Sequence, residues 1–549
     1  MNKIILSATY ISALAFVACT DMDIEPEGLY VTEEARNEAT GAMATRGEAE
    51  LTGAFSRAWL PGSAMGATAY NDYAYPDDGG YPTVCFMFDL GTADICAPNS
   101  GYNWYSSSLL WNDRNASFRN PNIRWRIFYA QIKAANDIIA ARDPQTASAA
   151  DLNTLGQALA LRAFDYLNLA PYYAFDYAQH PDDPCVPLVT DTNADEKAYA
   201  RSTVKEVYTQ IIDDLTNAIN YLDGYTRTAS NFIDKGVAYG LRARAYLAME
   251  KWVEAAADAK AALENVTGTC DGTPYSIDEI SKPSFCNISD HNWMWGIRLS
   301  DSMIDGEYAS WPSWIGSFST NAYSVATGTY AMINQNLFDK IPDTDARKGW
   351  WVDADLHSDH LDGFTWQGFT GDAIASAEVE DVKVAYLPYT NIKFGFQSGA
   401  DLAKNGGDWC LMRVEEMLLI QAEALAKSGA DGQSVLTNFM KTYRDANYSP
   451  VFSKFEDEIW FQRRVELWGE GFAYADLMRL RKNMVRFHAG QEEDINVPTT
   501  AQFNIPAGDK RLLMVIPQTE INANPLIVQN ETSTPKAGEN SGLTDGITD

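Results

Sequence analysis

Two groupings of side chains in this sequence could do chemistry. The first is ionic: QRRVELWGEGFAYADLMRLR carries Arg463, Arg464, Glu466, Glu470, Asp476, Arg479 and Arg481. Carboxylates beside arginines can act as general acid and base. On a helix, however, Arg463 with Glu466 and Asp476 with Arg479 have the i, i+3 spacing of side-chain ion pairs, so the expectation is a structural network between helices. The second grouping is aromatic. GYNWYSSSLLWNDRN supplies Trp104, Tyr105, Trp111, Asn112, Asp113 and Arg114; GEYASWPSWIGSFSTNAY supplies Tyr308, Trp311, Trp314 and Asn321; AYNDYAYPDDGGY adds Tyr73, Tyr75 and Asp77. A flat ring offers an apolar face to the C–H side of a pyranose, while adjacent amides, carboxylates and guanidiniums hydrogen-bond the hydroxyls. Such a surface holds a sugar without breaking a bond. Any one ring could equally pack against a scaffold, so the reading rests on the clusters.

Other chemistries find less support. DLHSDHLDG brings together Asp355, His357, Asp359, His360 and Asp362, but without an established helix to align the histidines it reads as a solvated polar loop. The acidic runs DTNADE and DGTPYSIDE could hold a structural calcium, yet neither follows the EF-hand spacing, so no metal and no cofactor is assigned. There is no G-x-S-x-G, P-loop or H-E-x-x-H, and the chain is not expected to be an enzyme.

These groups need a frame. The chain has 549 residues, 46% of them hydrophobic and 21% charged, as expected of a globular body. Acidic residues outnumber basic ones 74 to 42, and a net charge of -32 repels phosphate backbones, which excludes nucleic acid as a partner. Helical periodicity runs through IRWRIFYAQIKAANDIIAA, DLNTLGQALALRAFDYLNLAPYY, STVKEVYTQIIDDLTNAINYL, NFIDKGVAYGLRARAYLAMEKW, KWVEAAADAKAALE, DWCLMRVEEMLLIQAEALAKSG and QSVLTNFMKTYRDAN. Thr203 and Glu206 stand at capping-box spacing, and Ala255, Ala259 and Ala262 are small enough for close helix packing. Helix pairs repeating at about 34 residues read as tetratricopeptide-like units. The expected fold is mainly α: a helix-pair scaffold over about 120–265 and 407–484, with a few short strands and loop-rich excursions over about 51–122 and 266–406. Function on loops held by rigid helices is the usual division of labour.

The N-terminus sets location. An apolar run from Ile4 to Ala18 after Lys3 reads as a signal peptide over 1–18, and Phe16-Val17-Ala18-Cys19 is similar to a bacterial lipobox that makes Cys19 the acylated first residue. An acidic tether over 19–50 follows, and 51–549 is expected to form one domain. No later apolar run approaches the ~18 residues of a spanning helix, so membrane attachment is expected through lipid alone. The six remaining cysteines permit up to three disulfides in an exported chain. The local pairs are Cys85 with Cys96 and Cys270 with Cys286, leaving Cys185 and Cys410 as buried thiols.

Four stretches, RSTVKEVYTQIIDDLTNAINYL, MRVEEMLLIQAEALAKSG, QRRVELWGEGFAYADLMRLRK and IPQTEINANPLIVQN, resemble the RagB/SusD family in order and spacing. The chain departs from that family's usual residues at Gln462, Ala473 and Glu531-Thr532. The resemblance implies a lipid-anchored glycan-binding protein on the outside of the outer membrane. It would deliver oligo- or polysaccharide to a SusC-like TonB-dependent transporter, with the charged stretch as scaffold and the glycan platform on the aromatic loops. The alternatives are a surface glycoside hydrolase, or capture of peptide or another non-glycan nutrient.

Overall fold

Thr203 and Glu206 make the reciprocal cap that their spacing requires: the Thr203 N–H donates to Glu206 Oε2 at 2.8 Å, and the Glu206 N–H donates to Thr203 Oγ1 at 3.2 Å. That cap opens one of the scaffold helices of a computed structural model that describes residues 43–60, 62–65, 75–98, 104–192, 197–299, 311–318, 328, 330–377, 385–396 and 407–549. Two units are distinguished, Met1–Ala49 and Glu50–Asp549. The signal peptide, Cys19, Tyr73, Tyr308 and Asn321 lie outside the described residues. Helix α1 spans Met43–Trp59, so the segment read as a tether to residue 50 is already helical from 43.

The helices are α2 (Tyr81–Leu90), α3 (Arg119–Ala140), α4 (Ala149–Leu167), α5 (Val204–Tyr221), α6 (Lys235–Ala248), α7 (Trp252–Asn265), α8 (Val414–Lys427), α9 (Gly432–Tyr443), α10 (Phe455–Glu466), α11 (Ala473–Arg479) and α12 (Gln518–Ala523), besides shorter turns. From α3 to α9 each helix packs on the one before, which is the expected stacking of helix pairs. Ala255, Ala259 and Ala262 are buried where α7 meets α6 and α8. The chain leaves the stack after α7 and re-enters it at α8. The described strands are β1 (Ile95–Cys96), β2 (Pro184–Pro187), β3 (Arg201–Thr203), β4 (Trp293–Ile297), β5 (Met332–Ile333), β6 (Thr365–Trp366), β7 (Phe369–Thr370) and β8 (Trp409–Arg413), and the return is fixed by the antiparallel pair of β4 with β8, in which Trp293 faces Arg413 and Ile297 faces Trp409. Both strands are buried throughout, and β8 runs directly into α8.

One expectation is corrected here. The stretch 51–122 shows little periodicity, yet α2 lies within it. All ten residues of α2 are buried, so it has no polar face to give an amphipathic pattern. The disulfide reading is also corrected: Cys85, Cys96, Cys185, Cys270, Cys286 and Cys410 are buried, free thiols.

The ionic motif folds into structure. Glu466 is buried between Arg413, Arg444 and Arg347, with Oε1 accepting from Arg413 and Arg444 Nη2 at 2.7 Å each, and Oε2 from Arg444 Nε at 2.8 Å and Arg347 at 3.2 Å. Glu470 accepts from Arg413 and from the buried Lys393 ammonium at 2.6 Å. The Asp476–Arg479 pair forms at 2.8 Å as its spacing suggests. Arg463 does not pair with Glu466; it turns to Asp476 at 2.6 Å, because three other guanidiniums already occupy Glu466. Gly471, in the turn before α11, has φ +89° and lies so close to Cys85 that an added Cβ would sit 2.7 Å from its Sγ, so both backbone and space call for glycine.

Asp89 of α2 accepts from the Gly471 and Ala473 N–H groups at 2.8 and 3.2 Å. Burial pushes its carboxyl up to about 8, against the lowering effect of those two donors. The folded state therefore holds this proton more tightly than the unfolded chain, and the stability it contributes is lost as pH rises from the ordinary Asp value through about 8. Asp89→Asn, which keeps the neutral shape, is expected to gain melting temperature relative to the parent between about pH 5 and about pH 9. A melting difference that stays flat across that range would refute the buried proton.

Candidate functional site

Of the aromatic candidates in the described residues, Tyr75 and Trp104 keep part of their rings in solvent. They lie 5.5 Å apart, centroid to centroid, at an interplanar angle of 38°. Trp104 packs against the hydrophobic core and is half-buried. The guanidinium of Arg119, in the first turn of α3, lies 4.3 Å above the Tyr75 ring. Its Nη2 and Nε donate to Asp77 at 2.9 and 3.1 Å in a fork-to-carboxylate contact. Asp77 is 2% exposed, whereas the Arg119 side chain retains 31%. Burial alone would lower the Arg119 pKa; the hydrogen bonds and charge of Asp77 raise it above the ordinary guanidinium value. Beside it, Asp78 accepts from the Met65 and Ala64 N–H groups at 2.8 and 3.3 Å, and burial raises its carboxyl. Two tilted rings, a fixed cation and a fixed carboxylate thus stand together at a partly open surface.

The floor of this cluster comes from other predicted residues. Tyr105 is buried, donates its hydroxyl to the Pro76 carbonyl at 2.9 Å, and meets the Trp314 ring edge-on at 4.8 Å. The two aromatic stretches therefore do come together in space, but through buried rings. Trp311 is enclosed by Phe394 and Trp409 and donates its indole N–H to the Gly407 carbonyl at 2.7 Å. Trp111 donates to the Gly91 carbonyl at 3.1 Å and lies under Arg114. Asp113 accepts from Arg124 at 2.6 Å and Arg114 at 2.9 Å; burial would raise its carboxyl, but those two cations hold it below the ordinary value.

Tyr105, Trp111, Asp113, Trp311 and Trp314 are each 1% exposed or less, so their reading as direct ligand contacts is corrected to one of support. A ring with both faces packed cannot stack on a sugar. Asn112 is half-buried at the start of the short helix Asn112–Arg114, whose other residues turn inward.

Arg119 was not among the residues singled out from sequence. Its position offers a signal: a cation in the first turn of a helix opposes the helix dipole, so its placement answers to something other than helix stability. The exposed Phe118 ring precedes it.

In the histidine loop the two rings are held apart. His357 is clamped by Asp372 at 2.7 Å and Asp359 at 3.1 Å, which raises its pKa, while His360 is buried and lowered to about 4 by desolvation. No group of three or more metal-ligating side chains occurs among the described residues. Nor is any described helix long and apolar enough to cross a membrane.

Comparison with known proteins agrees with this architecture. Residues 91–247 match a family model described as starch-binding associating with outer membrane, and residues 313–532 match the SusD family model. Among solved structures, a SusD-like carbohydrate binding protein from Bacteroides vulgatus is 24% identical, with a TM-score of 0.70 over 89% of this chain and 98% of that one. A SusD superfamily protein from Bacteroides thetaiotaomicron is 22% identical, with a TM-score of 0.67 over 89% and 99%. A laminarin binding SusD-like protein is 18% identical, with a TM-score of 0.57 over 90% and 99%. At these identities the solved structures speak for the fold alone. No curated protein matches the chain.

Proposed function

The chain belongs to the RagB/SusD family, and on that premise we propose that it is a cell-surface glycan-binding lipoprotein, acylated at Cys19 and facing the cell exterior, which captures oligo- or polysaccharide and hands it to a SusC-like TonB-dependent outer-membrane transporter. The observation that carries this reading is the half-open Tyr75–Trp104 pair with Arg119 and Asp77 locked beside it. The rings take the apolar face of a pyranose. The Arg119 Nη1 N–H groups, which have no hydrogen-bond partner among the described residues, are suited to its hydroxyls.

The protein breaks no bond in this scheme. The carboxylates of the charged motif, Glu466, Glu470 and Asp476, are buried in ion pairs and have neither the openness nor the partners of a general acid. The Tyr75–Trp104 cluster would hold ligand while the lipid tether allows the body to swing over the transporter.

Native affinity electrophoresis of the ectodomain in a panel of polysaccharides, followed by product analysis, tests this. Retardation without products is expected. Products would establish a hydrolase, and retention of peptides with no polysaccharide retardation would establish a peptide carrier. Delivery is tested separately: the full-length lipoprotein should co-purify with an outer-membrane barrel transporter from its own host, and its absence from the outer face of protease-treated cells would refute the placement.

A further inference from the structure

Resting on the glycan reading above, we infer that the ligand taken at the Tyr75–Trp104 surface is an uncharged glycan, so that uronic-acid and sulfated polysaccharides are excluded.

Three observations lead there. First, the cation at the site is already spent. Arg119 makes a two-point contact with Asp77, and Asp77 is 2% exposed. A sugar carboxylate or sulfate that took over the Nε and Nη2 donors would leave a buried carboxylate unpaired, which is strongly unfavourable, and one that reached only the outer Nη1 edge would meet a guanidinium whose charge Asp77 already balances. Second, the immediate surroundings add a further carboxyl, Asp78, the next residue along, and among the described residues of the cluster the positive charge is that of Arg119, which Asp77 neutralises. Third, the sequence around both aromatic stretches is poor in cations, and the first stretch reaches one only at Arg114, which is buried against Asp113. No Lys, Arg or His occurs between Arg57 and Arg114, nor between Arg298 and Lys340, while these segments hold Asp72, Asp77, Asp78, Asp89 and Asp94, and Asp301, Asp305, Glu307 and Asp339.

A further cation, Arg126, is exposed, with Nη1 3.9 Å from Met65 Sδ. It stands seven residues beyond Arg119 on α3, about 10 Å along the helix axis. That is about one Debye length at 0.1 M salt, and the body as a whole carries a net charge of -32. An anionic polymer is thus repelled at long range and finds no unpaired cation in the Tyr75–Trp104 cluster. A neutral pyranose meets two rings and a fixed guanidinium donor whose charge is already balanced.

The test is native affinity electrophoresis in neutral polysaccharides (pullulan, dextran, laminarin, galactomannan, arabinoxylan, xyloglucan) and in anionic ones (polygalacturonate, alginate, chondroitin sulfate, dextran sulfate). A carboxymethylated derivative of whichever neutral polymer binds completes the set. Retardation by a neutral polymer is expected, independent of NaCl concentration, with the carboxymethylated derivative weaker by about tenfold or more. Equal or tighter binding of the derivative, or retardation by anionic polymers alone, overturns the neutral class while leaving glycan capture standing. Absence of retardation by every polymer overturns the glycan reading itself.

Asp77→Asn gives a second measurement. If its thermal unfolding is cooperative, freeing Arg119 should bring salt-sensitive binding of the carboxymethylated polymer. Failure to gain it in the folded variant would show that the Asp77 pairing does not set the charge preference. Should the variant not fold, the salt series on the parent decides alone.

Discussion

Glu466→Gln is expected to unfold the protein at urea concentrations where the parent is fully native. Three guanidiniums, those of Arg413, Arg444 and Arg347, converge on this one carboxylate, and all four side chains are buried. Burial alone would raise the Glu466 pKa, but Arg444 and Arg413 hold it well below the ordinary carboxylate range. The amide keeps the shape and removes the charge, so positive charges remain in a region that water does not reach. Breaking a buried pair in this way costs about 3–5 kcal/mol, a large part of a total stability of about 5–15 kcal/mol.

The expected reading is a lower urea midpoint with an unchanged slope. A midpoint shift worth less than about 1 kcal/mol would sink the claim that this network holds β8, α10 and the 345–350 turn together. The sign with pH follows. A lowered folded-state pKa contributes stability that is present above the ordinary Glu value and lost as pH falls through the folded one, so the parent should lose its advantage over Glu466→Gln in acid.

The second large effect concerns binding. Trp104→Ala is expected to weaken retention of the bound polysaccharide by about 2 kcal/mol, roughly thirtyfold in Kd, as for a ring at the centre of a contact. Its melting temperature should fall only modestly, because the residue is half-buried at the edge of the core. Trp104→Phe should restore part of the affinity. Trp111→Ala is the contrast: that ring is fully buried and bonded to Gly91, so its loss costs about 3–5 kcal/mol of stability and touches affinity only through folding. Unchanged affinity in a folded Trp104→Ala would remove the Tyr75–Trp104 pair from the site.

Much of the scaffold was legible before the structure. The capping box at Thr203 and the small-residue face of α7 depend on neighbours a few positions apart, and local spacing is what a sequence displays directly. The charged motif was correctly assigned to structure, yet its partners were only half right. Asp476 does meet Arg479 within one helix, but Arg463 leaves Glu466 for Asp476 because Glu466 is claimed by Arg347, Arg413 and Arg444 from three distant segments. Helix α2 escaped notice for the opposite reason, having no exposed face to set a period.

By itself the sequence determined a helix-pair scaffold, an acidic body, and the aromatic stretches from which a glycan surface is proposed. Periodicity, charge and residue type are properties of the chain as written. Only the tertiary structure decided which rings are enclosed: Tyr105, Trp111, Trp311 and Trp314 are buried, while Tyr75 and Trp104 are half-buried beside Arg119. Exposure is fixed by what packs against a residue from elsewhere in the chain, and neither composition nor spacing records that contact.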